Sequence, residues 1–534
     1  MAADLPAEAP SETGLQRHRR RVLALASIGI FMTPLDGSIV SVALKPIGRG
    51  LHLSYSEAIW VQAAYLLAIS VCLIPFGRLA DDHGRTRFFL AGVVVFTAGS
   101  VVAGLAPAAA VLLGARVVQG AGGALLSATA AAMVTAAYPP SRRGRALGFM
   151  TMWVYIGLTV GPLLGGLIVQ HLTFPAAADS WRWIFYVNIP IGIATLAAGW
   201  PLLHVERRDR ELGHRPPVRS FDTAGAILLG GTLAAFIVPL TFGFAWGWTS
   251  PAALGLLVGA ALAGVAFVVT ERRVADPMLD LDLLRHNRLF ATANLAALLN
   301  YAAMNAVTVL TAVFLEVVQH RTAQAAGLLL ISQPIIMAGL SEPAGRLSDR
   351  IGTRFLASGG MIVITGGLIL LATMPENASN GRVVAALAVV GLGMAAFSAP
   401  NTSAVMGSVD RSQLGIAASF LSTMRFTGQA ISVALLGGIA GSQLGAVGGR
   451  VIFLGARAVD SAGLYASGYR LAMVVAAFLA LIGGLISLTR PAAASRRDER
   501  RRGRSELPVR DEQRRGRPVP PAPHDEPAGG ESSP

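Results

Sequence analysis

Apolar residues in this chain come in blocks of about twenty, the length a helix needs to cross about 30 Å of hydrocarbon. Reading by length and apolarity gives fourteen of them, near 22–44, 58–79, 88–106, 109–136, 146–171, 183–203, 222–243, 252–270, 289–316, 325–345, 355–374, 383–406, 415–440 and 470–489. Hydrocarbon offers the backbone no hydrogen-bond partner, so each block must satisfy its own N–H and C=O groups and is read as a helix. The balance of residue types agrees: 14% are charged, against about 25% in an ordinary soluble protein. The expected fold class is an all-α polytopic membrane protein with fourteen transmembrane helices.

The net charge of +14 suggests nucleic acid until the charges are placed. With the N-terminus on the cytoplasmic side, the expected inner segments hold 34 of the 44 Lys and Arg. The basic balance is therefore a topology signal that sets both termini inside, with the lipid bilayer as partner and no nucleic acid. Arg17 to Arg21 anchor the N-tail, and a basic, Pro-rich tail from about Pro491 reads as disordered. The lone Cys72 lies in an apolar run, and the first apolar run is too long for a signal-peptide core.

A few polar residues stand inside the spans. Asp36 lies about 14 residues, or roughly 21 Å, from the inner end of the first span, too deep to reach water. It is either a structural acid paired with a fixed base or a proton carrier. Arg116 lies about 12 Å from the outer end of the fourth span, at a depth Asp36 could share. In the fifth span Gly157, Gly161 and Gly165 recur at every fourth residue, leaving bare backbone on one face for a neighbouring helix. Pro162, beside the tandem Gly165–Gly166, removes a backbone donor and is expected to bend that helix. Asn294, Asn300 and Asn305, with Gln333 on the next span, either bond between helices or line a substrate cavity. Asn401, next to Pro400, is a further cavity candidate. Arg425 sits about 15 Å from the inner end of its span, near the midplane, and an anionic substrate group is one of its possible partners. Glu316 and Glu342 fall near span ends, with Glu316 a possible second acid.

Two loops repeat one another. Gly77, Leu79, Asp81 and Gly84 of GRLADDHGRTRF align with Gly345, Leu347, Asp349 and Gly352 of GRLSDRIGTRF, so the chain contains two related halves. The first loop resembles the signature loop of the major facilitator superfamily at Gly77, Leu79, Asp81, Gly84, Arg85 and Arg87; Asp82 departs from it, where a base is usual. Leu112, Arg116, Gln119, Gly120, Gly122 and Ala124 match the fourth-helix motif of that family. Gly157 to Gly166 match the antiporter motif of its exporters position for position. The string SWRWIFYVNIPIG, Ser180 to Gly192, resembles the sixth-helix entry of the fourteen-helix drug:proton antiporters and is read as a family marker, with Trp181, Trp183 and Tyr186 at a membrane interface.

The resemblance implies a major facilitator fold: two pseudo-symmetric six-helix bundles, 22–203 and 289–490, around two extra central helices, 222–270. Tails 1–21 and 491–534 and linkers 204–221 and 271–288 complete the chain. It further implies a cytoplasmic latch at Gly77, Asp81, Gly84, Arg85, Arg87 and Asp349, and proton coupling at Arg116 with Asp36 its leading partner. The activity implied is proton-coupled efflux of amphipathic drugs or antibiotics across the cytoplasmic membrane by a monomer. No cofactor is expected beyond protons as coupling ion. No phosphate-binding loop, nucleophile–base pair or metal-ligand cluster points to an enzyme. A same-fold transporter of one metabolite, lipid or siderophore, or a non-transporting sensor, remain as alternatives.

Overall fold

The computed structural model describes residues 12–172, 177–211, 222–274, 277, 281–410, 413–445, 448–449, 452–453 and 461–490. The extreme N-tail, parts of both linkers, Asp349's side chain and the C-tail 491–534 lie outside the described residues. The first half runs α1 (Glu12–Gly50), α2 (Tyr55–His83), α3 (Arg85–Leu105), α4 (Ala109–Ala137), α5 (Pro140–His171), the short α6 (Trp183–Tyr186) and α7 (Asn188–Glu211). Two inserted helices follow, α8 (Thr223–Trp246) and α9 (Pro251–Glu271), then a short α10 (Leu281–His286). The second half is α11 (Arg288–Val313), α12 (Ala323–Leu330), α13 (Ser332–Ile351), α14 (Thr353–Ala372), α15 (Asn380–Gly407), α16 (Leu414–Gly441) and α17 (Ser461–Leu488). Among the described residues thirteen helical stretches are long and apolar enough to cross a membrane, and α16, at 28 residues, falls within their range of length. Arg425 and its polar neighbours interrupt the apolarity of that helix.

Proline sets two breaks that periodicity did not anticipate. Pro190 and Pro334 lack the N–H that would bond four residues back, and their rings crowd that carbonyl. The sixth span accordingly divides at Val187 and the tenth at Ile331. By contrast α5 continues through Pro162, and α1 through Pro34 and Pro46. The α1 helix also starts at Glu12, so Arg17 to Arg21 are helical. A π-helical turn, Phe314–Val318, extends α11.

The internal repeat is visible in backbone geometry. Gly84 (φ 115°) ends α2 and Gly352 (φ 91°) ends α13, each donating its N–H to the carbonyl four residues back at 2.9 Å. A residue with a Cβ is strained at such angles. The same residue spacing carries Gly92 of α3 onto Gly360 of α14 and Gly99 onto Gly367. Both pairs do the same work. A Cβ on Gly92 would lie 3.1 Å from the Gly122 carbonyl of α4, and one on Gly360 would lie 2.8 Å from the Gly393 carbonyl of α15. Bare backbone lets each helix pair close to contact distance where no hydrophobic force separates helix from lipid.

The inserted pair sits beside the seam between the halves. Trp60 of α2 stacks on Phe242 of α8 at 5.6 Å, while Gly438 of α16 leaves room for the Leu240 carbonyl, 2.7 Å from where its Cβ would stand. Thus α8 touches both halves. Helix α9 packs on α8 and exposes Leu254, Val258, Leu262 and Val265, an apolar face suited to lipid.

Gly122→Ala should lower the thermal unfolding midpoint of the detergent-purified protein, since the new Cβ would lie 2.5 Å from Phe96 N and overpacking costs about 1–3 kcal/mol. Gly114→Ala on the same helix meets nothing within 4 Å and should leave the midpoint unchanged or raise it.

Candidate functional site

Five helices of the first half converge on Asp36. Its Oδ2 accepts from Arg116 Nη1 of α4 at 2.5 Å. Its Oδ1 accepts from Gln119 Nε2 at 2.6 Å and from Asn188 Nδ2 of α7 at 3.0 Å. Arg116 also donates from Nη1 to Gln119 Oε1 at 2.7 Å and from Nε to the Val61 carbonyl of α2 at 2.9 Å. Ser100 of α3 closes the ring, accepting from Gln119 at 2.8 Å and Asn188 at 3.3 Å while donating to the Phe96 carbonyl. Beneath the guanidinium lies the Tyr65 ring, 4.2 Å from Cζ. Asp36, Arg116, Gln119 and Ser100 are fully buried, and Asn188 is 1% exposed. Arg116 Nη2 alone lacks a hydrogen-bond partner.

Helical spacing builds this knot. Arg116 and Gln119 are three apart and share a face of α4, which α3 and α2 then cover. A buried ion pair gains from Coulomb attraction only when its remaining donors and acceptors are satisfied. Here two amides fill the remaining carboxylate acceptors, an amide and a carbonyl take Arg116 Nη1 and Nε, and Nη2 is left without a partner. The expected Asp36–Arg116 partnership is a direct contact in the structure.

The glycine face of α5 lies on the same stretch of α1. Hypothetical Cβ atoms at Gly157, Gly161 and Gly165 would lie 3.1 Å from Leu35 N, 3.0 Å from Ile39 N and 2.8 Å from the Ile39 carbonyl. Ser38 Oγ also sits between the helices and donates to the Gly157 carbonyl at 3.1 Å. The opposite side of α5 meets the second half. Gly166 packs on Ala323 and Gln324 of α12, and the Pro162 carbonyl fits against Gly327. One helix therefore touches both the aspartate-bearing α1 and the other half of the molecule.

At the end carrying the α1–α2 loop, the halves are tied together. Lys45 Nζ donates to the Glu316 carbonyl in the π turn at 2.6 Å, and Arg49 Nε donates to the Phe453 carbonyl. The Tyr55 ring meets Tyr465 edge-on at 5.6 Å. Nearer the middle, Ser70 of α2 and Thr427 of α16 share a hydrogen bond at 2.5 Å. At the other end Asp81 pairs with Arg85 Nε at 2.7 Å, and Arg85 Nη1 reaches the Ala132 carbonyl of α4. This links α2, α3 and α4 within the first half, around Gly77 and Gly84. Arg87 is exposed. Both ends of the Asp81–Arg85 pair are solvated, which limits it to about 0–1 kcal/mol.

The cavity candidates separate. Asn300 is fully buried and donates to Met361 Sδ of α14, and Asn401 accepts from Arg490 Nη2 at 2.5 Å. Asn300 thus makes the interhelical bond that the sequence offered as one of its two readings, and Asn401 bonds to Arg490 just past the end of α17. Gln333 is buried, its carbonyl against Gly391. Asn305 and Arg425 are half-buried, with Arg425 Cζ 5.2 Å over the Tyr301 ring. Trp181 is corrected: it is fully buried against Phe185, whereas Trp183 is 36% exposed. Ser100, Asn188, Lys45 and Arg49 were missed. The signal for Asn188 was an amide inside the apolar NIPIG string, treated as a marker without chemistry.

Known proteins match along most of the chain. A family profile described as Major Facilitator Superfamily matches residues 26–222, 218–432 and 293–523. The chain is 35% identical over 433 residues to the multidrug resistance protein Stp of Mycobacterium tuberculosis, covering 81% of this chain and 78% of that one. It is 28% identical over 435 residues to the tetracenomycin C resistance and export protein of Streptomyces glaucescens, covering 82% and 78%. A bacterial homologue of the human lysosomal transporter Spinster, solved inward-facing and unoccupied, superposes with a TM-score of 0.63 at 17% identity, covering 88% and 96% of the two chains.

Arg116→Gln leaves the Asp36 carboxylate buried without its charge partner and should destabilise the protein by about 3–5 kcal/mol. Thermal unfolding in detergent should place the double variant Asp36→Asn/Arg116→Gln nearer the wild type than Arg116→Gln alone. Additive losses would mean that the two side chains are not energetically coupled.

Proposed function

The chain belongs to the Major Facilitator Superfamily, a family of membrane transport proteins rather than enzymes, and from that premise we propose that it exports amphipathic drugs or antibiotics across the cytoplasmic membrane in exchange for protons. Export is supported by the relatives named for multidrug resistance and for tetracenomycin C resistance and export. The charge distribution favours cytoplasmic termini, which makes the Lys45–Glu316 end the outer one. The single observation that carries proton coupling is the Asp36 knot and its contact, through α1, with the glycine face of α5.

The mechanism follows from acceptor count. As placed, the Asp36 carboxyl accepts three hydrogen bonds. A proton on either oxygen removes the charge that holds Arg116 and takes away acceptor capacity there. The knot then loosens among α1, α3, α4 and α7. Because Gly157, Gly161 and Gly165 hold α1 against α5, a shift of α1 carries to α5 and to its Pro162–Gly166 contact with α12. That contact lies between the repeats, where rocking alternately opens one side and closes the other. Protonation from outside would favour substrate release outward, and loss of the proton inside would restore the starting state. Asp36 is the proton carrier and Arg116 the group that sets its proton affinity. The coupling ion needs no cofactor, and one polypeptide contains all these groups.

Inverted vesicles test this with ethidium and a panel of antibiotics, with and without an imposed pH gradient. Wild type should accumulate substrate when the gradient is present. Asp36→Asn keeps the size of the side chain but cannot take up a proton, and should lose the gradient-dependent part at equal expression. Persistence of gradient-driven uptake in Asp36→Asn would remove the proton from Asp36 and make Glu316→Gln the next variant to measure. A wild type indifferent to the gradient would refute antiport.

A further inference from the structure

Arg116 and Arg425 both stand well inside their spans, and their surroundings differ. Arg116 has Asp36. Arg425, eleven residues into α16, lies about 16 Å from the nearer end of the helix, and no carboxylate among the described residues forms an ion pair with it. Its Nε is buried without a hydrogen-bond partner, and its visible compensation is the Tyr301 ring at 5.2 Å. A cation–π contact returns only part of what a guanidinium loses on leaving water. An intramembrane arginine in that condition marks a ligand pathway more often than a packing role.

The neighbourhood suits a ligand rather than a missing protein acid. Gly428, one turn from Arg425, lets α16 approach α11 until its absent Cβ position lies 3.0 Å from Tyr301 Cβ. This fixes the ring beneath the guanidinium. Ser422 and Gln429, on the Arg425 side of α16, are half-buried, as is Asn305 one turn from Tyr301 on α11. Two residues from Arg425, Thr427 bonds Ser70 of the first half. The unpaired guanidinium stands near mid-membrane on a helix whose other face, at Thr427, meets the first half, and transporters of this architecture place substrate at that depth between their repeats. Its fork matches a carboxylate, phenolate or sulfonate, with the aromatic and amide groups left for a planar apolar body.

We propose that Arg425 anchors the anionic group of the exported molecule, so that the substrates are acidic aromatic amphiphiles, and that cationic drugs are disfavoured. The proposal rests on the export reading and deepens it.

Three probes separate the two. Anilinonaphthalene sulfonate is an anion, N-phenylnaphthylamine carries the same rings without charge, and ethidium is a cation. Their uptake is measured in inverted vesicles under a pH gradient for wild type, Arg425→Gln and Arg425→Lys, with the thermal midpoint of each purified protein as a check on folding. Wild type should prefer the sulfonate. In Arg425→Gln the ratio of sulfonate to neutral uptake should fall about 10- to 100-fold, as expected for one charge-assisted contact. Arg425→Lys should restore part of the ratio, because it keeps the charge without the fork. A ratio unchanged in Arg425→Gln, or a wild-type preference for ethidium, overturns the anion site and leaves export standing. A wild type that moves none of the three overturns both.

Discussion

A carboxylate and a guanidinium taken out of water can coexist only if nearly every remaining donor and acceptor finds a partner. Much of the first half is arranged around that demand. Asp36 needs acceptor sites filled from α4 and α7; Arg116 needs the Val61 carbonyl of α2 and the Tyr65 ring; Gln119 and Asn188 need Ser100 of α3. Remove the charge on one member and the reason for the others' positions goes with it. A polar knot of this kind is a poor source of stability compared with well-packed apolar side chains.

Glycine brings α5 against the helix that carries Asp36. The backbone-to-backbone contact of α5 with α1 has few side-chain atoms to absorb a displacement, so motion of one helix is felt by the other. The same α5 meets α12 on its other side. One helix therefore stands between the segment bearing Asp36 and the seam of the halves, in contact with both.

Much of this was legible in the sequence because it depends on length, period and charge. Block lengths gave the helices, and the loops ending at Gly84 and Gly352 gave the two halves. Depth counting allowed Asp36 and Arg116 the same depth, and the structure supplies the contact. What sequence could not supply was direction around a helix packed against several neighbours. Asn300, Asn305 and Asn401 look alike in apolar runs, yet Asn300 bonds Met361, Asn401 bonds Arg490, and Asn305 stays half-buried. In a helix with several packed neighbours the hydrophobic period no longer marks one inner face. The breaks at Val187 and Ile331 were legible in principle, since Pro190 and Pro334 each sit four residues after the carbonyl they displace. Trp181 shows the opposite limit: aromatic residues near a span end read as interfacial until packing buries one of them.

The pair α8 and α9 illustrates a rule of parity. A chain that crosses a membrane changes side with each crossing, so an even insertion returns it to the side it left. The second half can then enter the bilayer with the handedness and sidedness it would have had if joined directly to the first. An odd insertion would present it upside down, with Gly352 and Gly84 at opposite faces. Here α8 settles against both α2 and α16, while α2 and α16 still meet one another through Ser70 and Thr427. A gene already duplicated could therefore accept two more crossings between its copies without relearning how to fold either one.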